Sequence, residues 1–143
     1  MQKVIAVASD HAGVELKEKV KDVLDQMGFA TTDLGTHGTE SVDYPDFAES
    51  LAGAIKDKEA EKGVLICGSG IGISIAANRH KHIRAALCHS EEAARLSRQH
   101  NNANVLVLGA RTMDEQTSLK CVRAFFATEF EGGRHQKRVE KLG

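Results

Sequence analysis

The stretch Gly63 to Asn78, G-V-L-I-C-G-S-G-I-G-I-S-I-A-A-N, leaves a chain few ways to fold around it. Val64, Leu65 and Ile66 form an apolar run that ends in Cys67; Gly68, Gly70 and Gly72 follow, and then a segment rich in alanine and isoleucine that reads as a helix. A buried strand that turns through glycines into a helix builds an anion site, because the glycines admit close backbone approach and the helix start presents unpaired N–H groups and a positive dipole end. Cys67 sits at the strand tip, where the same dipole favours thiolate over thiol. No Gly-Lys-Ser/Thr closes a Walker A loop. Ile73 stands where a dinucleotide fingerprint needs a third glycine or alanine, and where a C-x5-R phosphatase loop needs arginine. The plainer alternative is a tight turn that only lets a helix pack on its strand.

The rest of the chain repeats the strand-then-helix alternation. Lys3–Ala8 is a continuous apolar run, as a parallel strand covered on both faces requires. Val14, Leu16, Val20, Val23, Leu24 and Met27 recur at near-helical spacing, with Gly28 as the stop. Ala30–Leu34 reads as a short strand, and Gly35–Asp43 as a long polar loop. Asp43-Tyr44-Pro45 reads as a helix entry whose apolar stripe is Phe47, Leu51 and Ile55. After the central strand, Ile83–Cys88 and Val105–Leu108 are further strands. Ser90 caps a helix running to about His100, and Thr112 with Glu115 reads as a capping box for the next. Gly132-Gly133 is a hinge before a short basic tail helix. Five alternations predict one α/β domain spanning residues 1–143, a doubly wound, five-stranded parallel sheet with right-handed crossovers and a C-terminal tail helix. Ligands of such sheets bind beyond the carboxyl ends of the strands. Ser9–Gly13, Cys67–Gly72, His89-Ser90 and Gly109–Thr112 all fall there.

Net charge is −1, so no general basic surface points to nucleic acid or to a membrane, and anion recognition must be local. No apolar run is long enough to span a bilayer and no signal-peptide pattern opens the chain, which makes the cytoplasm the expected location. The three cysteines lack C-x-x-C spacing, so neither a structural disulfide nor a zinc site is expected. Cys88 and Cys121 read as inert.

Several residues carry two readings. Asp10-His11 is either a polar turn in which Asp10 caps the first helix or an acid–base pair beside the cysteine loop. His100 ends a helix and therefore lies at the opposite sheet edge from Cys67. It is either a helix C-terminal histidine or a contributor to a neighbouring subunit's site. Arg134 and Arg138, one helical turn apart, are a solvated basic tail or a phosphate clamp, with Arg111 as a third candidate.

S-D-H-A-G (9–13), D-Y-P (43–45), C-G-S-G-I-G-I-S-I-A-A-N (67–78), R-Q-H-N-N-A-N (98–104) and E-G-G-R-H-Q-K-R-V (131–139) together resemble the sugar-phosphate isomerases of the ribose-5-phosphate isomerase B and galactose-6-phosphate isomerase family, over nearly the whole chain. The resemblance implies a Rossmann-like fold and interconversion of D-ribose 5-phosphate and D-ribulose 5-phosphate, in the non-oxidative pentose phosphate pathway, without metal or cofactor. By position, Cys67 is the base between C2 and C1, and His100 opens the furanose ring with Asp10 assisting. Gly68, Ser69, Gly70, Ile71 and Gly72 meet the enediolate oxygens, Ser69 keeping the hydroxyl that other members carry on threonine. Tyr44 and Asn101 line the sugar, and His11, Arg111, Arg134 and Arg138 hold phosphate. The family's homodimers share sites between subunits, which accounts for His100; a tetramer stays open. The competing readings are an allose- or galactose-6-phosphate isomerase and, in a different class, a flavodoxin-like nucleotide-binding module.

Overall fold

A computed structural model of the protein describes residues 3–143. Its elements alternate as the sequence predicts: β1 (Val4–Ser9), a 3-10 turn (His11–Gly13), α1 (Val14–Gln26), β2 (Ala30–Asp33), α2 (Tyr44–Lys56), β3 (Lys62–Cys67), α3 (Ile71–Asn78), β4 (Ala85–Leu87), α4 (Glu91–Gln99), β5 (Val105–Gly109), α5 (Glu115–Phe126), a second 3-10 turn (Gly133–His135) and α6 (Gln136–Glu140). All strand pairs are parallel, in the order β2-β1-β3-β5-β4.

The period-2 alternation of the strands sorts the core into two layers. Val64 and Ile66 of β3 pack with Leu16, Val20 and Leu24 of α1 and Val122 and Phe125 of α5. Leu65 and Cys67 point the other way, among Ala48, Leu51 and Ala52 of α2 and Ile73 and Ala77 of α3. Cys67 thus emerges on the face that carries α3, the helix that follows it. Helix α2 presses closely on β3: a Cβ at Gly63 would lie 2.8 Å from both methyls of Leu51.

Differences from the sequence reading are local. Helix α5 is capped by Asp114, whose Oδ1 accepts the Thr117 N–H at 2.7 Å, so the Thr112–Glu115 box does not form. Residues Gly109–Thr112 turn on themselves instead, the Thr112 N–H reaching the Gly109 carbonyl. The fourth strand is shorter than its apolar run, because the Arg84 N–H is taken by Asn104 Oδ1 at 2.7 Å. Asp43 stands at the N-cap of α2 without a side-chain capping bond.

One network was invisible to hydrophobic patterning. Lys17, fully buried, pairs with Asp33 Oδ1 at 2.8 Å and donates to the Thr36 carbonyl, while Lys21 holds Asp33 Oδ2 at 3.0 Å. Burial alone would push the Asp33 carboxyl up, but bonds from Lys17, the Gly35 N–H and Lys21 outweigh it and hold it below the ordinary carboxylate value. The network pins Gly35-Thr36 against the tip of β1, where the Ser9 N–H donates to the Gly35 carbonyl and the Thr36 N–H to the Ser9 carbonyl, both at 2.7 Å.

Candidate active site

Strands β1 and β3 are neighbours whose chains leave their carboxyl ends toward opposite faces, β1 into α1 and β3 into α3. The crevice at such a switch point is where a doubly wound sheet binds its ligand. The tips of both strands are tied there: the Asp10 N–H donates to the Ile66 carbonyl at 3.1 Å, the Ala110 N–H to Cys67 at 2.9 Å and the Arg111 N–H to Gly68 at 2.8 Å.

The Cys67 thiol is buried and accepts the Gly70 N–H at 3.2 Å. That geometry depends on Gly70, at φ +80°, where a Cβ would meet Leu87 Cδ1 at 2.5 Å and the Leu108 backbone at 3.2 Å. Ser69 Oγ accepts the Ile71 N–H at 3.2 Å, in the first turn of α3. Tyr44, the first residue of α2, lies over the loop so closely that a Cβ on Gly72 would come within 2.5–2.7 Å of its ring and hydroxyl. Arg111 crosses Gly68, with Cδ and Nη1 both 3.5 Å from the place of a Cβ there. Gly70 and Gly72 thus each have a different neighbour that excludes a side chain, whereas Arg111 stands at ordinary contact distance over Gly68.

Asp10 is a cap, though of the 3-10 turn rather than of α1 itself. Its Oδ1 accepts the Ala12 N–H at 3.0 Å, so it caps the 3-10 turn, and the buried carboxylate still stands at the crevice. His11 Nδ1 accepts the Val42 N–H at 3.2 Å, which leaves the hydrogen of a neutral ring on Nε2, free for a ligand. Val42 itself is a contributor that residue type could not reveal, since only its backbone acts.

Asp10, His11, Tyr44, Cys67, Gly68, Ser69, Gly70, Ile71, Gly72 and Arg111 thus gather at the carboxyl edge. His100, Asn101, Arg134 and Arg138 do not join them. The turn after α4 delivers Asn104, whose carbonyl takes the Gly63 N–H at the start of β3; Cys67 is four residues further along, roughly 13 Å at the parallel-strand rise. His100 therefore lies at the amino edge, as its helix end implied. There it stacks on His135, ring centroids 4.3 Å apart and planes 15° from parallel. The Glu131 N–H donates to the Gln99 carbonyl at 3.1 Å and pins the tail to the same corner. Arg134 and Arg138 are exposed beside it. Burial first, then the charges of His100, Arg134 and Arg138, hold the His135 imidazolium below the ordinary histidine value, with Glu131 opposing.

His100, Glu131 and His135 bring three potential metal ligands within 4.8 Å of one another. A metal ion binds imidazole along the in-plane lone pair, and nearly parallel stacked rings cannot both aim at one ion.

Other motif residues serve the scaffold. Asn78 holds both backbone polar groups of Ala85, its Nδ2 to the carbonyl at 2.9 Å and its Oδ1 to the N–H at 2.8 Å. Arg98, buried, donates to the Ala103 and Thr128 carbonyls and to Asn102 Oδ1, and so shapes the turn after His100, where Asn102 has φ +48°. Burial pushes the Cys88 and Cys121 thiols up to about 11, which disfavours the thiolate.

A buried thiol under a backbone N–H, with a carboxylate and an imidazole at the same switch-point crevice, is an arrangement that acid–base chemistry on a small polar substrate can use. Comparison with known proteins makes the class specific. Residues 5–142 match the ribose/galactose isomerase family. A ribose 5-phosphate isomerase from Thermotoga maritima is 50% identical in a structure superposing with a TM-score of 0.95, covering 99% of this chain and 98% of that one. Ribose-5-phosphate isomerase B of Escherichia coli is 44% identical over 98% of this chain and 94% of its own. A D-erythrulose-4-phosphate isomerase of Pectobacterium atrosepticum is 43% identical over 97% and 92%. The chain belongs to the ribose/galactose isomerase family, and it is an isomerase; the nucleotide-binding alternative is set aside.

Proposed function

We propose that this enzyme interconverts D-ribose 5-phosphate and D-ribulose 5-phosphate, in a site completed by a second copy of the chain. The observation that carries the reading is the Cys67 thiol held against the Gly70 N–H, with the loop's remaining donors next to it. An aldose–ketose shift needs one base to take a weakly acidic proton and return it to the adjacent carbon. Cys67 as thiolate removes the proton from C2 of the open-chain sugar. Negative charge moves to O1, where loop N–H groups stabilise it. A proton passes from O2 to O1, and Cys67 delivers its proton to C1, leaving the ketone at C2. His100 from the second subunit assists ring opening with Asp10, and Ser69 and Tyr44 contact the sugar hydroxyls. Phosphate is held by His11, Arg111, Arg134 and Arg138, far enough from C1 to position the sugar without entering the chemistry. No cofactor or metal takes part.

The separation of the residues into two edges supports a shared site. So does helix α3, which exposes Ile71 and Ile75 one turn apart, 55% and 53% accessible, an apolar pair suited to a chain–chain contact. A soluble, cytoplasmic homodimer fits both features. Ribose 5-phosphate is preferred over six-carbon substrates on the similarity to the ribose 5-phosphate enzymes, while the Pectobacterium relative shows that comparable identity accompanies a different sugar.

Rates on ribose 5-phosphate, allose 6-phosphate, galactose 6-phosphate and erythrulose 4-phosphate, measured side by side, test the substrate. Ribose 5-phosphate should lead in kcat/KM, and a clear preference for another sugar overturns that part. Mixing inactive Cys67→Ala and His100→Asn chains tests the shared site. Random pairing restores about a quarter of the sites, because half the dimers are mixed and one of their two sites is intact. No recovery under demonstrated subunit exchange overturns sharing.

A further inference from the structure

We propose that His135 is a positioning residue: its ring, stacked on His100, holds the His100 imidazole in one working orientation. The inference rests on the reading of His100 as the group that assists ring opening.

His100 is the C-cap of α4, only partly buried, and among the described residues no hydrogen bond fixes its side chain. An imidazole in that position can turn about two side-chain torsions, and a proton donor that turns is a poor one, since misplacement of about 1 Å costs on the order of 100-fold in rate. Its ring is restricted by His135, face to face at 4.3 Å. His135 is itself immobilised. It is 8% accessible, its N–H donates to the Gly132 carbonyl at 3.1 Å, and it sits where the second 3-10 turn enters α6. The tail reaches His100 only through a reversal at Gly132 and Gly133, with φ of +67° and +55°. The Glu131 N–H on the Gln99 carbonyl fixes the start of that reversal to the residue just before His100.

The groups facing His135 are His100, Arg134 and Arg138, which disfavour its protonation, and Glu131, which favours it. His135 Nε2 lies 3.8 Å from Glu131 Oε1, too far for a hydrogen bond, so its contribution is the face of the ring rather than a polar contact.

The test separates ring opening from proton transfer. Ribulose 5-phosphate is acyclic, because its O5 is esterified and no five-membered ring can close on C2, so exchange of its C1 hydrogen with solvent needs Cys67 but not ring opening. His135→Ala should lower kcat on ribose 5-phosphate by about 10- to 100-fold, with KM nearly unchanged and C1 exchange retained. His135→Phe, which keeps the stack without a titratable ring, should recover most of the loss. An equal fall in both reactions, a rise in KM alone, no effect of His135→Ala, or no recovery with His135→Phe overturns the proposal. A wild-type protein silent in both assays overturns the functional reading instead. The stack is then read by nuclear magnetic resonance: the ring-current displacement of the His100 ring protons should vanish in His135→Ala and persist in His135→Phe, and an unchanged His100 signal in His135→Ala sinks the positioning role on its own.

Discussion

The Gly70 N–H points at the Cys67 sulfur from 3.2 Å, so in the proposed mechanism the loop that receives the reacting oxygens also holds the base. The two cannot be altered independently. Cys67→Ala should lower turnover by at least about 100-fold, the lower end of what a positioned base contributes, and abolish exchange at C2 and C1. Binding of a non-reacting sugar-phosphate analogue, followed by calorimetry, should stay within a few-fold of wild type. Retained turnover would remove Cys67 from the reaction.

Gly70→Ala places a methyl group 2.5 Å from Leu87 Cδ1 at a φ that side chains rarely adopt. Backbone strain of about 1–3 kcal/mol should appear as a lower melting temperature, and turnover should fall further than stability does because the N–H on Cys67 is displaced. Ser69→Ala, which loses only a bond to the Ile71 N–H, should leave stability within about 1 kcal/mol.

His100→Asn should lose most activity on ribose 5-phosphate and keep C1 exchange from ribulose 5-phosphate. Equal loss of both would place His100 in proton transfer, against the geometry that puts it at the amino edge.

The Lys17–Asp33 pair makes an acid-dependent prediction. The Asp33 carboxyl is held below its unfolded value of about 3.9, so the folded state binds fewer protons there. Its stabilisation is fully present above that value and is lost as pH falls through the folded one. Lys17→Met should cost about 3 kcal/mol at pH 7, as breaking a buried pair does, and should flatten the loss of stability below pH 4. Denaturant titrations at pH 7 and pH 3 read both effects.

The alternation of apolar runs and helical stripes was enough to predict the layer order, because a parallel sheet writes its burial directly into local sequence. The strand end at Cys67, the Ser90 cap and the glycine stop at Gly28 were legible for the same reason: each is a short-range rule satisfied by its own residues. Thr112 misled because two capping residues, Thr112 and Asp114, stand two apart, and the tie of Thr112 back to Gly109 decides between them. Lys17 gave no signal, since a lysine on a helix reads as solvent-facing until Asp33 and Thr36 close over it. His135 was passed over inside the E-G-G-R-H motif because its partner, His100, is 35 positions away and only the doubled-back tail joins them. Val42 could not have been found, as what it supplies is an amide every residue has.

Gly63 lies at the far end of its strand from the crevice, yet it meets the helix that carries Tyr44. Helix α2 rests on β3 at Leu51, and Tyr44 is its leading residue, two turns away. A side chain at Gly63 would meet the Leu51 methyls at 2.8 Å, so either Leu51 or the helix would have to give way. The bare backbone at the foot of the central strand thus permits a seating of helix on strand that a larger residue there would have to negotiate.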